Sequence, residues 1–475
     1  MKHIGQLFCV VTALLSACAV GPDFKQPSVP GPNAYLPQNA PTQAPETTAP
    51  QFEDGRMVPE RWWEAFQCQE LSELVGESLQ RSPSALEARA RLRQAQETYT
   101  AQSRAIEYPS VDAQVGITRQ KLDPAAFGFP GVPPAPPFTL YNAQLNVFYT
   151  LDLFGADRRT VEGHAARRDH QMYETSAAEL TLAANVVVAV IRRADLQSQV
   201  DLTEQMVTAE SRQYAIDQER YAVGGISLAD LQNRSAQVEG LRSTLAPLKA
   251  QRDQLDHQLA VYLGRTPGEG EIPAIVLSQL HMPAPIPVTL PADLVRRRPD
   301  VQAYEAQWHE ASADVGVATA NLFPTITISG YAGSDRTNAS DIVDSFNVWS
   351  IGAKLVQPLF HAGELRAQKR SAVAAYDAAA QAYREAVLEA FQQVADGLRA
   401  VQAGEMQLQA RSLAHERYDQ NYSIARQRFE AGGISESTLL DAQRSKLQGD
   451  LDQNRAAAQQ LSDAAALLHA MAGPV

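Results

Sequence analysis

Arg428-Phe429-Glu430-Ala431-Gly432-Gly433-Ile434-Ser435-Glu436-Ser437-Thr438-Leu439 has an earlier counterpart in Arg220-Tyr221-Ala222-Val223-Gly224-Gly225-Ile226-Ser227-Leu228-Ala229-Asp230-Leu231. Six of the twelve positions are identical. In both, a long helical pattern runs into a Gly-Gly pair and a second helical pattern leaves it. A glycine at positive φ stops the first helix, and the Ser that follows caps the next. The unit is a helical hairpin with a tight tip, written twice.

The duplication extends outward from the tips. Gly155 to Gly224 and Gly363 to Gly432 both span 69 residues. Before these intervals stand strand-like segments ending in Leu151-Asp152-Leu153-Phe154 and Gln357-Pro358-Leu359-Phe360. Further back, Pro83 to Pro109 and Pro299 to Pro324 bracket two helix-length intervals, because Pro fits a first helical turn and not a helix interior. Each half therefore reads helix, strand, loop, strand, very long helix, tip, returning helix. At ~1.5 Å per residue a helix of this length extends roughly 100 Å. Val373, Tyr376, Ala380, Tyr383, Val387, Ala390 and Val394 form a heptad seam, as do Tyr173, Ala177, Leu180, Ala184, Val187, Ile191 and Ala194; both predict coiled-coil packing.

Between helices the period changes to two. Val111, Ala113, Val115 and Ile117 alternate with Asp112, Gln114, Gly116 and Thr118, and the segment Tyr141–Leu153 alternates in the same way. The second half repeats the pair at Thr325–Tyr331 and Val348–Leu359. Strict alternation gives one apolar and one polar face. The segments are close to the ~9–11 residues that cross a bilayer at a tilt, while no apolar run after the leader reaches ~18 residues. Aromatics cluster at the strand ends (Tyr108, Phe138, Tyr141, Phe323, Phe346, Trp349), as in interfacial girdles. Four strands cannot close a barrel, and an open edge cannot face lipid, so the barrel must be shared between chains.

The N-terminus names the compartment. Lys2, an apolar run to Leu15 and small residues read as a secretory leader. Leu15-Ser16-Ala17-Cys18 reads as a lipobox that makes Cys18 the lipidated first residue, and Ala19 after it fits sorting to the outer membrane. Gly21 to Pro59 is a Pro-rich tether; Trp62, Trp63 and Phe66 then open the folded part as aromatic core. The mature chain keeps Cys18 and Cys68, which excludes a disulfide framework. A net charge of −13 with no basic aromatic stripe argues against nucleic-acid binding. There is no His-Glu-x-x-His, Gly-x-Ser-x-Gly or phosphate-binding Gly-x-x-x-x-Gly-Lys motif, and His309-Glu310 and His415-Glu416 lack a second His at ligand spacing, so the chain is read as no enzyme and without a metal or cofactor beyond a covalent lipid. The run Arg296-Arg297-Arg298 before Pro299-Asp300 is read as helix-start chemistry.

Cys18-Ala19-Val20-Gly21-Pro22-Asp23-Phe24, Trp62-Trp63-Glu64-Ala65-Phe66, Leu294-Val295-Arg296-Arg297-Arg298-Pro299-Asp300-Val301, Ala320-Asn321-Leu322-Phe323-Pro324 and Leu439-Leu440-Asp441-Ala442-Gln443-Arg444-Ser445 together resemble the TolC-like outer-membrane efflux proteins, in their lipoprotein branch (OprM-like, NodT-type). The resemblance covers essentially the whole mature chain. It implies an α+β, mostly α fold: long coiled-coil hairpins forming a periplasmic α-barrel, and four strands per chain joining a trimeric twelve-stranded transmembrane β-barrel. The implied organisation is a leader over 1–17, a lipidated tether over 18–60, a first repeat over 61–270, an equatorial linker over 271–298 and a second repeat over 299–475. Within the repeats, strands fall at about 109–119, 139–154, 324–332 and 346–360, long helices at 155–223 and 363–431, and returning helices at 226–263 and 434–471.

The function so implied is the exit duct of a tripartite efflux pump, a homotrimer in the outer membrane of a Gram-negative bacterium. Its partners would be a periplasmic adaptor and an inner-membrane RND-type transporter, and its cargo small molecules such as drugs. A conduit for type I protein secretion would have a similar tunnel; a lipid-anchored coiled-coil scaffold would leave the four strands unexplained. The tips Gly224-Gly225 and Gly432-Gly433 would form the periplasmic end. There the resemblance makes Asp441 and Asp230, with Glu436 nearby, candidates for lining the closed pore; a solvated face or a helix cap is the plainer reading of each. In TolC an Arg two residues after the tip glycine locks the closed state, where this chain has Ile434, so any lock must differ. Cys18→Ser is expected to abolish acylation and leader processing; metabolic labelling with a fatty-acid analogue checks it, and a labelled variant overturns it.

Overall fold

The computed structural model describes residues 19–26, 35, 52–134, 136–342 and 346–474. Cys18, the leader and most of the tether lie outside the described residues. In chain order the elements are β1 (Phe52–Asp54), a 3-10 turn (Trp62–Phe66), α1 (Gln69–Arg81), α2 (Pro83–Glu107), β2 (Ser110–Gln120), β3 (Phe138–Leu151), α3 (Ala156–Ala222), α4 (Leu228–Tyr262), β4 (Ile286–Val288), α5 (Pro291–Arg297), α6 (Pro299–Ala320), β5 (Thr325–Arg336), β6 (Val348–Val356), α7 (Glu364–Glu430) and α8 (Glu436–Met471). The chain forms two compact units, and each draws on both halves of the duplication.

Among the described residues, the first unit comprises 19–26, 92–134, 136–171, 304–342 and 346–383. Its sheet has the order β2-β3-β5-β6, antiparallel throughout. The register aligns Ala113 with Leu145, Leu145 with Ala332 and Ala332 with Trp349, so most apolar residues of the four strands share one face, with Phe148 and Tyr331 on the other. The shared face is bare: Val115 is 76% exposed and Ile351 75%. The opposite face carries Asp112, Gln114, Asn146, Thr327 and Ser350. Three strands differ from expectation in length. β6 ends at Val356 and not near 360, because the Gln357 side chain turns to donate to the Leu322 carbonyl (3.2 Å) and Pro358 has no N–H to continue a ladder. β5 runs on to Arg336 because Asp335 and Arg336 pair with Asn142 and Tyr141, and Asn347 brackets Asp335 through bonds of 2.9 and 3.1 Å. β3 stops at Leu151 because the Asp152 carboxylate turns to accept the Arg158 backbone N–H (2.9 Å), opening α3.

The described start of the chain is strapped to this unit. The Val20 N–H donates to the Phe154 carbonyl (3.1 Å), Asp23 pairs with the buried Arg159 (2.6 Å), and Phe24 stacks on His309 at 4.5 Å. Gly21, at φ +105, crosses Gly316 so closely that a Cβ would lie 2.5 Å from its Cα. Arg159 also binds Glu162, which in turn binds His309 (2.9 Å).

Among the described residues, the second unit comprises 35, 52–91, 172–303 and 384–474. Trp62, Trp63 and Phe66 are fully buried, with Leu71, Ile191, Leu259, Leu467 and Leu468. Here β1, which falls inside the expected tether, pairs in parallel with β4 inside the expected linker; Ile286 and Val288 are buried and anchor that pairing. Arg298 does more than start a helix. Buried at the α5–α6 junction, its guanidinium donates to the Ala470 carbonyl (3.1 Å), Gln393 (2.8 Å) and Asp300. α4 continues past Pro247, against the rule that proline ends helices. Pro247 sits on the exposed face, where water can satisfy the carbonyl left without its amide partner. Within α3 one stretch is long and apolar enough to cross a membrane, contrary to the expectation that no apolar run after the leader reaches ~18 residues. Half of it is buried in protein, as a core helix is, and Val186, Val187, Val190 and Ile191 are core.

Burial pushes the His469 imidazole down to about 4, with the Arg298 charge adding to the shift and Asp300 opposing it. In the unfolded chain it returns to about 6.5. The unfolded state then binds the extra proton between those values, so stability falls as pH drops from about 6.5 towards 4, by up to ~3 kcal/mol. Between pH 7 and 5 the wild type is expected to lose more thermal stability than His469→Gln; equal losses in melting scans would remove His469 from the acid response.

Candidate functional site at the helical tips

Both tips close by the same backbone chemistry. Gly224 (φ +77) and Gly432 (φ +73) take the left-handed conformation that a side chain disfavours. The Gly225 N–H donates to the Arg220 carbonyl, and the Gly433 N–H to the Arg428 carbonyl, both at 2.7 Å. Ser227 then caps α4 by accepting from the Asp230 N–H (3.1 Å), and Ser435 caps α8 by accepting from the Thr438 N–H (3.3 Å).

The three candidate acids occupy different settings. Asp230 is exposed and completes a capping box: its carboxylate accepts from the Ser227 hydroxyl at 2.8 Å and backbone N–H at 3.3 Å. Glu436, in the first turn of α8, is held by both arms of the Arg212 guanidinium at 2.6 and 2.9 Å. That hydrogen-bonded pairing keeps its carboxyl below the usual range. Asp441 is the least committed, half exposed with Arg444 at 3.9 Å.

Above the tips lies a network that sequence reasoning missed. Glu210, Gln213 and Asp217 lie along one face of α3 and are buried, at 4, 2 and 7% exposure. Arg234 of α4 reaches Glu210 at 3.1 Å and Asp217 at 3.2 Å, while Arg444 of α8 approaches Glu210 at 3.3 Å. Gln213 donates to the Ser437 hydroxyl of α8 at 2.7 Å. Burial lowers the tendency of Arg234 to hold its proton, but the hydrogen bonds and charges of Glu210 and Asp217 outweigh it and leave the guanidinium above its usual range. Three helices are thus joined through buried polar side chains. The signal in the sequence was weak: two acids one heptad apart, 210 and 217, which fall outside the continuation of the seam from Tyr173 to Ala194.

Among the described residues no group of three or more His, Cys, Asp or Glu is placed to hold a metal ion. What the tips offer is charge and a rigid turn; a cleft lined by Met206, Gln237, Leu241, Tyr418 and Arg444 lies farther along the helices, beside the Glu210 network.

Comparison with known proteins bears on what these features serve. A family model described as outer membrane efflux protein matches residues 74–265 and again 290–473. The pyoverdine export outer membrane protein OpmQ of Pseudomonas aeruginosa is 27% identical over 386 residues, 81% of each chain. The toluene efflux pump outer membrane protein TtgC of Pseudomonas putida is 29% identical over 450 residues, 92% of this chain and 89% of that one. The structure of the outer-membrane channel OprN aligns with a TM-score of 0.81 at 25% identity, covering 96% of this chain and 99% of that one.

Removing one partner of a buried ion pair leaves the other charge stranded. Arg234→Met is expected to cost on the order of 3 kcal/mol of stability, read as a lowered melting temperature. Adding Glu210→Gln and Asp217→Asn to that variant should restore part of the loss. If the single variant melts like the wild type, the network does not hold the helices.

Proposed function

The chain belongs to the outer membrane efflux protein family, and from that premise we propose that it acts as a homotrimeric exit duct docked to a periplasmic adaptor and an inner-membrane RND-type transporter. It is an outer membrane channel component of an efflux system, extending into the periplasm. The observation that carries the trimeric duct is the four-stranded sheet, apolar on one face and open at β2 and β6. Such edges leave backbone groups unpaired, which lipid does not tolerate. The cleft beside the Glu210 network, along the helices from the tips, is the docking place we assign to the adaptor.

The cargo is small molecules. The relatives' names carry pyoverdine in one case and toluene in another at comparable identity, which fits a wide duct whose cargo is chosen elsewhere in the pump. The repeat boundaries at 61–270 and 299–475 are likewise our reading, with the two family matches in support.

Cys18 is proposed as the lipidated residue. Its neighbour Ala19 rests against Gly155, where a Cβ would meet the Ala19 Cα at 2.8 Å.

Of the candidate acids, Asp441 is assigned to the closed aperture, with Glu436 and Asp230 holding the tips in shape around it. Three Asp441 side chains about an axis, at ~6 Å and an effective dielectric near 20, repel by about 3 kcal/mol per pair before ionic screening. Such a ring attracts cations. Purified protein in planar bilayers is expected to show a small, cation-selective conductance that multivalent cations reduce, and native mass spectra should show trimers. Asp441→Ala should weaken selectivity and block while trimers persist. Unchanged selectivity in that variant would place Asp441 away from the constriction.

A further inference from the structure

The two sequence halves present matching feet at the ends of their strands. Tyr108-Pro109 precedes β2 as Phe323-Pro324 precedes β5, and Leu153-Phe154 follows β3 as Leu359-Phe360 follows β6. Inside the chain, where the first half meets the second, the feet pack together. Phe154 stacks on Phe323 with centroids 4.7 Å apart and planes 17° from parallel. The strands above them pair in the register Leu151 to Ile326, Tyr149 to Ile328, Val147 to Gly330 and Leu145 to Ala332.

The other two feet are bare. Leu359 is 92% exposed, Phe360 86% and Tyr108 64%. They stand beneath the strands whose outer edges are unpaired, β6 and β2. Exposed edges of this kind are where another chain adds. β2 and β6 run in opposite directions in the sheet, so β6 of one copy meets β2 of a second copy in antiparallel fashion.

We propose that the second copy docks as a repetition of the β3–β5 junction: β6 pairs with β2 of the partner subunit, and Phe360 stacks on Tyr108 of the partner subunit. This rests on the trimeric reading and specifies its seam. Carrying the register across by the aligned feet sets Leu355 opposite Ala113, Ala353 opposite Val115, and Ile351 opposite Ile117 of the partner subunit. All six residues lie on the apolar face, although facing was no part of the alignment. A slip of one residue would turn that face inward on one strand.

The closure geometry agrees. Following the ladder from Ala113 through Leu145, Ala332 and Trp349, then across the seam to Arg119 of the partner subunit, advances from 113 to 119, a stagger of six residues per copy. For three copies, with ~3.3 Å per residue and ~4.8 Å between strands, the strands tilt at about 45°, at the upper end of the usual barrel range. A slip of two residues that adds stagger raises the tilt to about 54°, outside that range. A slip of two in the other direction gives about 35° and parts Phe360 from Tyr108, so the aromatic feet choose between the remaining registers.

Disulfide trapping in the full-length protein tests the register. Opposed residues on antiparallel strands have Cβ atoms about 4.5–5.5 Å apart, near disulfide range, whereas β2 and β6 of one chain stand three strands apart, roughly 14 Å. Leu355→Cys combined with Ala113→Cys, in a Cys68→Ser background, should on oxidation give reducible covalent dimers and trimers in membranes. The slipped pairs Leu355→Cys with Val111→Cys and Leu355→Cys with Val115→Cys should give at least about tenfold less. As a second readout, Phe360→Ala should lower the temperature at which trimers dissociate, and Phe360→Tyr should preserve it. Trimers in native mass spectra with cross-linking at a slipped pair, or at none of the three, would overturn the register alone. Monomers only would overturn the trimeric reading together with it.

Discussion

The rest of the structure depends on a backbone constraint: N–H and C=O groups cannot be left unpaired in hydrocarbon. β3 and β5 satisfy it within the chain, and β2 and β6 do so along one edge only. The register that turns Ala113, Leu145, Ala332 and Trp349 to one side makes a surface suited to lipid. The same register leaves two edges that only another strand can complete. Side-chain hydrophobicity decides which face meets the membrane, and backbone hydrogen bonding decides that the sheet cannot stand alone.

Below the level of the sheet, ordinary local chemistry is reused in duplicate. Glycine at positive φ and a capping serine form both tips with nearly the same bond lengths. The two halves then diverge in their side chains. The first tip is followed by Asp230, which folds back on its own cap, and the second by Glu436, which reaches across to Arg212. The exposed Arg212–Glu436 pair orients more than it stabilises, because water and ions screen it. The buried set around Glu210, Asp217 and Arg234 differs in kind. Its charges are expensive to remove from water and tolerable only together, so it penalises any packing of α3, α4 and α8 that separates them. Buried polar contacts of this sort favour one arrangement of helices that apolar seams alone would let slide.

The N-terminal strap shows a similar economy. Arg159 has little contact with water, and Asp23 and Glu162 supply its counter-charges. Phe24 covers His309, and the glycine crossing at Gly21 and Gly316 allows the chain to lie that close. Thus a segment next to the proposed lipid site is held by charge, stacking and backbone contact at once.

Periodicity made most of the architecture legible in the sequence. A period of 3.5 across Tyr376, Tyr383, Val387 and Val394 announced packed long helices, a period of two across Val111 to Ile117 announced a two-faced strand, and the Gly-Gly repeats announced the hairpins. These are local signals, set by which side chains must share a face. The same signals placed Asp230 and Asp441 near the tips without distinguishing a cap from an open carboxylate, since both sit in the first turns of a helix. β1 was hidden because three residues carry no period. The meeting of Glu210 with Arg234 and Arg444, of Asp23 with Arg159, and of Phe154 with Phe323 was decided only by the tertiary structure. Each joins residues far apart in the chain, and sequence spacing reports the face a side chain occupies, whereas burial and partner depend on what packs against that face.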